Sequence, residues 1–556
     1  MAFQVSPGVN VSEVDLTTVI PAVASTVGGL VGNFSWGPVN EIISVSTENE
    51  LVDKVGVPTS NTYEYFLTAA NFLAYANNLK VVRANTGAKN ATSAGTGKYI
   101  LNLSDYESTV HNSNTNFFTA KYPGSLGNQI GVSVVDSDGF STWEYKSLFE
   151  SAPSTSVYAS NNGASNDELH VLVFNTQSGE ILEKFDYVSK ASDAKNYDGS
   201  ANYYVDVINR SSNWVWFEGH TALQANANTV WGSSLSNGLE FDSLTGNVTV
   251  QLSGATDSSA TNANNAIVSS LDLFANQDSV ELSLLMTGSS DVAVINKAID
   301  IAESRKDCIV FFSPSKSDVV NTTGQASKIE TSVNSIATPI TRSTFAFMDC
   351  NYKYQYNKYD DRYYWVPMNG DVAGLCVRTD NQRDPWYSIA GFNRGYIKNV
   401  VKLAWNPTQS DRDILYKNGV NAIVSFPGEG TVLFGDKTFV NKPSAFDHIN
   451  VRRLFIVLEK AISKAARSSL FEFNDEFTRA SFINLVEPFL RDVKGRRGVY
   501  DFRVVCDSTN NTGEVIDSNR FVGDIYIKPA RSINYIQLNF VAVRTSVSFQ
   551  EITGQF

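Results

Sequence analysis

The sequence predicts an α/β and β-rich multidomain protein. A chain of 556 residues is longer than one hydrophobic core usually supports, so we expect roughly three or four folded units. Hydrophobic residues make up 42% of the chain and charged residues 18%, which is typical of ordered globular protein. Helix-like and strand-like segments alternate towards both ends, whereas the middle is rich in Ser, Thr, Asn and Gly and contains mainly strand-like runs.

The beginning of the chain predicts an extended arm followed by an α/β unit. Residues 1–22 contain short extended pieces broken by proline and glycine, which is typical of an arm rather than a core. Two strands separated by a Gly-Pro turn are predicted for STVGGLVGNFSWGPVNEIISV. A helix capped by Thr62 is predicted for TYEYFLTAANFLAYANN, and a strand for the LKVVRA that follows.

The middle of the chain, from Asn85 to about Asp278, predicts an exposed β-rich region. Strands are predicted for IGVSVVD, ELHVLVFN, YYVDVIN and VTVQL. Beyond it, a helix and then an apolar strand are predicted for VAVINKAIDIAESRKDCIVFFSPS, and a further helix for SKIETSVNSIATPI. The rest predicts a strand at NAIVSF, long helices at INVRRLFIVLEKAISKAARSSLF and FNDEFTRASFINLVEPFLRDV, and late strands at YDFRVVCD and DIYIKPARSINYIQLNF.

The chain ends on another strand-like run, VAVRTSVSF. Four of its apolar side chains, Val541, Val543, Val547 and Phe549, share one face at period two, opposite polar residues. An unpaired terminal strand with an apolar face invites pairing with another chain. Because it could equally pair inside its own domain, the pattern alone leaves both arrangements open.

Charge is distributed unevenly along the chain. The net charge is −13, yet residues 345–556 contain 27 Lys and Arg against 23 Asp and Glu. An acidic first part suits a solvated exterior, and a mildly basic second part suits contact with an acidic partner. The excess is too small and too dispersed for a phosphate-binding stripe, so we expect no direct nucleic-acid binding. The start of the chain lacks a signal-peptide pattern and no long apolar run occurs, so we expect a soluble protein made in the cytoplasm, without membrane insertion.

A search for catalytic or cofactor chemistry finds no specific site. GTVLFGDKT resembles a phosphate-binding loop, but Asp436 stands where that loop needs its lysine, and a carboxylate there would repel the anion. The four histidines are isolated, and no GxSxG elbow occurs. The four cysteines lie far apart without a CxxC pair and predict reduced, buried thiols. We expect no cofactor, no metal and no enzyme activity.

Two aromatic or basic segments could serve an interface. DPWYSIAGFNRGYI is dense in Trp, Tyr and Arg; it predicts either an interface hot spot or a turn that leads into an amphipathic helix, and the residues favour neither. NVRRLF places Arg452 and Arg453 early in a long helix, where we expect a charged edge.

Several blocks of sequence, in this order, resemble the contractile tail sheath protein of T-even-type bacteriophages. Near the start these are SPGVNVSE, GNFSWGPVNEI and TYEYFLTAANFLAYANNLKVVRA. The later ones are NYKYQYNKYDDRYYWVPMNGDVAGLCVRTDN, SIAGFNRGYI, FGDKT, FDHINVRRLF, FRVVCDSTNNT and IKPARSINYIQLNFVA. Together they cover about the first 85 and the last 210 residues. KYPGSLGNQIGVSVV resembles the start of the family's second, outward-facing domain, and the large protruding domain of T-even sheath proteins has no counterpart here.

The resemblance implies a mechanical function. Sheath proteins of this family polymerise as stacked hexameric rings around a tail tube and contract to drive the tube through the host envelope. Their terminal arms add strands to the sheets of neighbouring subunits, a case of β-augmentation. The resemblance therefore assigns subunit contacts to the arm residues Val9, Val11, Val541, Val543, Val547 and Phe549. It also makes Arg452, Arg453, Arg496 and Arg497 candidates for contact with the tube.

The resemblance also implies the domain organisation, partners and location. We expect an inner α/β domain formed by both chain ends, with an inserted outer domain. The predicted segments are an arm at 1–22, a first sheath segment at 23–85, an inserted region at 86–344, an inner C-terminal domain at 345–530 and a terminal strand and arm at 531–556. Expected partners are further copies of the chain, the tail tube, the baseplate and the tail terminator. The expected location is the virion tail, and the host cytoplasm during assembly.

Three alternatives remain, of which the first belongs to the same mechanical class and the other two to different classes. The sheath of a phage-derived injection particle, such as a bacteriocin, would share all these features except an attached head filled with DNA. An α/β hydrolase-like enzyme lacks every convergent site sought above. A secreted β-rich adhesin is opposed by the missing signal pattern and the unpaired cysteines.

Overall fold

A computed structural model of the chain describes residues 24–110, 117–219, 230–244, 246–258, 260–534 and 537. The described chain divides into two compact units. The first comprises the described parts of Ala22–Pro385 and Ile389–Ala461, and the second those of Trp386–Ser388 and Ile462–Phe556. Each unit is described by itself below.

The described strands are short and distributed over six sheets. They are β1 (Gly28–Gly32), β2 (Ile42–Val45), β3 (Leu79–Arg83), β4 (Phe118–Ala120), β5 (Ile130–Val135), β6 (Glu168–Asn175), β7 (Ile181–Ser189), β8 (Val215–Phe217), β9 (Val248–Gln251), β10 (Leu284–Met286), β11 (Ile309–Phe312), β12 (Ala346–Asp349), β13 (Tyr352–Asn357), β14 (Arg362–Pro367), β15 (Lys402–Leu403), β16 (Val420–Asn421), β17 (Ile423–Phe426), β18 (Gly430–Leu433), β19 (Val499–Val505) and β20 (Asp524–Pro529).

The α-helices range from a single turn to five turns. They are α1 (Glu48–Val55), α2 (Tyr63–Leu73), α3 (Leu103–Asp105), α4 (Val157–Asn161), α5 (Tyr204–Ser211), α6 (Ala260–Ser270), α7 (Val292–Arg305), α8 (Lys316–Val319), α9 (Gln325–Val333), α10 (Asn369–Gln382), α11 (Gln409–Lys417), α12 (Ile449–Ala466), α13 (Glu476–Gly495) and α14 (Gly513–Asp517). No helix among the described residues is long and apolar enough to cross a membrane.

A seven-stranded sheet forms the centre of the first unit. Its strand order is β16-β12-β11-β10-β1-β3-β2, and every neighbouring pair is parallel except β2 with β3. The chain runs from β1 to β3 on one side and returns at β10 on the other, so the strand order reverses between β1 and β10. Strands β1, β10, β11 and β12 are buried along their whole length, as parallel strands covered on both faces usually are.

Two hydrophobic clusters cover the two faces of this sheet. Alternate residues of each strand point to opposite faces, so Leu284 and Met286 join one cluster and Leu285 the other. The first cluster packs the sheet against α1, α2 and α10, and the second packs it against α6, α7 and α9. This is the layered arrangement expected for alternating strands and helices.

The segment between β3 and α6 forms a separate β-rich part. Its main sheet is antiparallel with the order β7-β6-β5-β9, and β4 pairs with β8 beside it. One face of the sheet packs on α5, and the other packs on Trp143 and Phe149. A buried ion pair joins Lys190 Nζ to Asp136 Oδ2 at 3.2 Å.

The second unit is built from α13 and the hairpin of β19 and β20. Asp475 caps α13, because its Oδ1 accepts a hydrogen bond from the backbone N–H of Thr478 at 2.8 Å. The two strands pair antiparallel, with Phe502 opposite Ile527 and a bulge between Val499 and Asp501. This unit contains few fully buried side chains compared with the first.

Most of the predicted elements among the described residues are present, and two of the local predictions are wrong. YYVDVIN forms helix α5, because Tyr204, Val205 and Ile208 are buried at helical spacing. Thr62 precedes α2 but does not cap it, since its Oγ1 accepts from the backbone N–H of Thr59 instead. Of the two alternatives for DPWYSIAGFNRGYI, the turn that leads into an amphipathic helix is not found, because the next elements are the short strand β15 and then α11. The prediction of four free, buried cysteines is confirmed.

Part of the predicted inserted region, 86–344, contributes strands to the central sheet. Strands β10 and β11 lie within that range, yet both belong to the central sheet with β1 and β3. The β-rich part therefore occupies the portion of the range that precedes α6.

Candidate assembly surfaces

The crevice in which open α/β sheets usually bind ligands is filled by a tyrosine. Such ligands bind beyond the carboxyl ends of the strands where the strand order reverses, here between β1 and β10. A methyl group added to Gly32 would lie 2.7 Å from Cδ1 of Tyr65, and one added to Gly288 would lie 2.8 Å from the same atom. Burial raises the pKa of Tyr65 to about 12. The ring of Tyr65 thus occupies the space that a ligand would need.

The segment that resembles a phosphate loop is packed into the fold. The side chain of Asp436 is only 6% exposed, and its Oδ1 accepts a hydrogen bond from His448 Nδ1 at 3.0 Å. This bond raises the pKa of His448. The Lys437 ammonium lies 4.2 Å from the centroid of the Tyr416 ring. No group of three or more metal-ligating side chains occurs in the described part of the chain.

Arg452 and Arg453 do not form the charged edge that the sequence predicts, because both are buried. Arg452 lies between two aromatic rings, 4.2 Å from the centroid of Phe345 and 3.9 Å from that of Phe446. Burial lowers its pKa to about 10. Nη2 of Arg453 lies 2.8 Å from Oδ1 and 2.6 Å from Oδ2 of Asp380. Both side chains are therefore largely inaccessible to solvent and to a partner protein.

Arg496 and Arg497, in contrast, are exposed just beyond the end of α13. The guanidinium of Arg496 lies 5.0 Å from the centroid of the Trp386 ring and 3.6 Å from Oδ2 of Asp492. Arg497 has a φ of 66°, which turns the chain sharply before β19. Arg491 and Lys494 on the same helix end are also exposed, but each is paired with a carboxylate, Arg491 with Glu487 at 2.7 Å and Lys494 with Asp501 at 2.8 Å.

The hairpin of β19 and β20 is a sheet with two unpaired edges. Each strand pairs only with the other among the described residues. Phe502 and Ile527 alternate with the outward-facing pair Arg503 and Tyr526, as in a sheet with one covered face. Unpaired edges expose backbone N–H and C=O groups that readily accept another strand.

The predicted arm residues lie outside the described residues. This applies to Val9, Val11, Val541, Val543, Val547 and Phe549.

Sequence reasoning missed an exposed apolar segment, residues 470–477, which follows α12 and includes the first two residues of α13; we call it the phenylalanine loop. The exposed fractions of Phe471, Phe473 and Phe477 are 104%, 84% and 81%. The sequence LFEFNDEF predicts the end of one helix and the start of the next, where apolar residues normally face a core. Clustered exposed aromatic side chains of this kind usually mark an interaction surface.

Family models match three segments of the chain, and relatives match nearly all of it. The tail sheath protein Gp18 domain III N-terminal region matches residues 25–84, the phage tail sheath protein central domain residues 271–439 and the phage tail sheath C-terminal domain residues 441–542. The tail sheath protein of Vibrio phage KVP40 is 33% identical in an alignment of 679 residues that covers 99% of both chains. The tail sheath protein of Enterobacteria phage T4 is 32% identical, again with 99% of both chains covered.

A solved structure supports the same fold. The helical sheath of the anti-feeding prophage in its contracted state has a TM-score of 0.51 and 13% sequence identity, and the match covers 97% of this chain and 99% of that one. The alignment with the KVP40 protein is longer than the 556 residues of this chain, so that relative contains segments that are absent here.

Proposed function

Because this chain belongs to the phage tail sheath protein family, we propose that its copies polymerise as stacked hexameric rings around a tail tube. Like its relatives, it is a structural subunit of a contractile sheath and not an enzyme. Contraction of the sheath drives the tube through the host envelope and so serves genome delivery. The protein is a component of the virion, and its assembly takes place in the host cytoplasm.

One observation carries the proposal for the subunit contacts: no strand in the described part of the chain pairs with the outer edge of either β19 or β20. Each edge accommodates one additional strand, and the chain has two terminal arms with alternating apolar residues. In the proposed contact, the arms of neighbouring copies add strands to this hairpin by β-augmentation. Main-chain hydrogen bonds supply affinity, and Val543, Val547 and Phe549 fill the covered face. Val9 and Val11 play the same part in the N-terminal arm.

The proposed domain organisation follows the central sheet. The inner domain combines residues 23–85 with the C-terminal part of the chain, and the outer domain is the β-rich segment inserted between β3 and α6. A boundary at 344 would separate β10 and β11 from the sheet to which they belong. For that reason we propose that the C-terminal boundary of the outer domain lies near residue 258 instead.

The proposed contact with the tail tube uses the exposed basic end of α13. Arg496 and Arg497 are exposed and can make this contact, whereas Arg452 and Arg453 are buried within the subunit. Exposed cations favour an acidic partner surface and speed the encounter with it. At its two ends the sheath would meet the baseplate and the tail terminator.

Negative-stain microscopy of the purified full-length chain tests the polymerisation. We expect hollow cylinders or rings at high protein concentration and physiological salt. A protein that stays strictly monomeric under these conditions would contradict the proposal. Purification of the native particle tests the wider function, because a head filled with DNA attached to the sheath identifies a virus rather than an injection particle.

A further inference from the structure

The described chain begins with two residues, Ala24 and Ser25, that closely follow the predicted N-terminal arm at 1–22. We call these two residues the arm root. Strand β1 begins soon after them, at Gly28, and lies inside the central sheet between β10 and β3. A pull on the arm therefore reaches the arm root before it reaches the hydrogen bonds of β1.

The arm root is joined to a buried ion pair. The hydroxyl of Ser25 donates a hydrogen bond to Oδ2 of Asp380 at 2.6 Å, and Asp380 is the carboxylate that pairs with Arg453. The side chain of Asp380 is 6% exposed and that of Arg453 4%. A buried carboxylate needs further donors besides its cation, and a hydrogen bond to a charged acceptor is stronger than one between neutral groups. The bond therefore ties Ser25 to α10 and α12, which contain the two charged residues.

The carbonyl oxygen of the other root residue, Ala24, accepts two further hydrogen bonds. Ser283 Oγ donates at 3.0 Å and Lys460 Nζ at 3.2 Å. Ser283 directly precedes β10, and Lys460 lies on α12. A carbonyl oxygen has two lone pairs, so these two donors saturate it. Side chains from three parts of the first unit thus hold the arm root.

These bonds are not needed to align β1 with its neighbour. The carbonyl oxygen of Val27 already accepts from the backbone N–H groups of Ser283 and Leu284, at 3.0 Å each, where β1 and β10 meet. The arm root lies ahead of this contact. Its side-chain hydrogen bonds instead fix the point at which the preceding residues leave the first unit. Fixing the root of a binding segment lowers the conformational entropy that is lost when the segment binds.

We propose that the side chains of Asp380, Lys460 and Ser283 anchor the N-terminal arm to the first unit. The inference rests on the proposed polymerisation, in which this arm adds a strand to a neighbouring copy. The anchor directs the arm towards that copy and so raises its effective concentration there. It also bears tension on the arm ahead of β1. The three side chains are positioning residues, because they act through Ala24 and Ser25 and not by touching the neighbour.

Two substitutions remove the anchor and leave the buried ion pair intact. Ser25→Ala deletes the hydroxyl, and Lys460→Met deletes the donor to Ala24 but keeps an unbranched apolar side chain. The double variant should need about a tenfold higher protein concentration for assembly, with a urea midpoint close to that of the wild type. Ser25→Thr combined with Lys460→Arg, which retains a hydroxyl and a cation, should assemble like the wild type. Assembly of the Ala/Met double variant at the wild-type concentration would overturn the proposal.

Two control variants test whether the effect is specific to the arm root. Lys460 Nζ also lies 3.3 Å from Oε1 of Glu281, so Glu281→Gln removes this ion pair and leaves the bond to Ala24. Ser270→Ala removes a hydrogen bond of 2.7 Å to Oδ1 of Asn40, away from the arm root. Both controls should assemble like the wild type. A tenfold rise in either of them would contradict the proposal, because it would show that any lost polar contact has the same effect.

Hydrogen exchange of the monomer tests the anchor without assembly. In the Ala/Met double variant, peptides that contain residues 24–27 should exchange about tenfold faster, whereas peptides from β3 should keep their wild-type rates. Unchanged exchange at residues 24–27 would refute the anchor, even if assembly changes. Failure of the wild-type chain to form cylinders, with the difference in exchange still present, would instead refute the proposed polymerisation and leave the anchor in place.

Discussion

Tyr65 packs against Gly32 at the carboxyl end of the central strand β1, so closely that a side chain at position 32 has no room. The strand order reverses beside this point, where an enzyme with such a sheet would bind its ligand. Here the aromatic ring closes the crevice and joins α2 to the sheet. The α/β layer therefore leaves no space for a ligand beside Tyr65, in agreement with a structural function.

Gly32→Ala should destabilise the first unit. The added methyl would lie 2.7 Å from Cδ1 and 2.8 Å from Cβ of Tyr65, so the helix or the sheet must shift. Overpacking of this kind costs about 1 to 3 kcal/mol, measurable as a lower urea midpoint. Gly513→Ala is the matched control, since nothing lies within 4 Å of a methyl group there. Equal stability of both variants would show that the contact between Tyr65 and Gly32 is loose.

Asp380→Ala should unfold or strongly destabilise the protein. The substitution removes the carboxylate that pairs with Arg453 and leaves a buried guanidinium without its charge partner. Breaking a buried pair from one side costs about 3 to 5 kcal/mol of unfolding free energy. Thermal unfolding of the full-length variant measures the loss. If Asp380→Ala melts like the wild type but fails to bind the tube, Arg453 belongs to an interface after all.

The stability of the protein should depend on the protonation of Asp349. Burial raises the pKa of this carboxyl from 3.8 to about 7, and the charge of Asp371 adds to the effect. The folded state therefore binds the proton more tightly than the unfolded state. The stabilisation that protonated Asp349 provides is complete below 3.8, the pKa of this carboxyl in the unfolded state. It is lost as the pH rises through about 7, the pKa in the folded state.

The comparison with Asp349→Asn isolates this contribution. The amide oxygen still accepts from Ser313 Oγ, which lies 2.6 Å from the carboxylate, but it carries no charge at any pH. From pH 4 to pH 8 the urea midpoint of the wild type should fall relative to that of the variant. Parallel curves for the two proteins over this range would show that Asp349 has the same proton affinity in both states.

The strands β1 and β3, the long helices and the strands of the β-rich middle could be predicted because their apolar periodicity is local. The run VAVRTSVSF lies outside the described residues, so its assignment as a strand stays a prediction. Other features depend on residues distant in the sequence. Arg453 looks exposed in NVRRLF, since its partner Asp380 lies 73 residues away. Tyr204 and Ile208 sit in a run that fits both a strand and a helix, and only their packing decides. The exposure of Phe473 could not be read from an apolar pattern that normally signals a core.

Arg496→Glu combined with Arg497→Glu should weaken binding to purified tail tubes. Reversing two exposed cations near an acidic surface replaces attraction with repulsion, and we expect about a tenfold loss of affinity. Co-sedimentation of sheath subunits with tubes measures it. Arg210→Glu, an exposed arginine on α5 in the β-rich part, serves as the control. Binding that is equal for both variants would remove the end of α13 from the tube contact.

Deletion of every residue after Ala542 should leave a folded protein that no longer polymerises. In the proposed contact the C-terminal arm serves the sheet of a neighbour, so its own subunit loses no core. Burial of each of Val543, Val547 and Phe549 is worth roughly 1.5 to 3 kcal/mol, and the loss recurs at every subunit of a ring. Unfolding curves and negative-stain microscopy of the truncated chain measure the two effects separately.

Two point substitutions distinguish the faces of that strand. Val547→Asp should abolish assembly like the deletion, because it places a carboxylate without a partner on the covered face. Ser548→Asp, on the opposite face, should be far milder, because its carboxylate stays in water. The proposal requires that Val547→Asp changes assembly and leaves the melting temperature of the monomer unchanged. A monomer that melts at a much lower temperature after either the deletion or Val547→Asp would mean that the strand pairs within its own subunit. Cylinders formed by the truncated chain would mean that the arm is not needed for polymerisation.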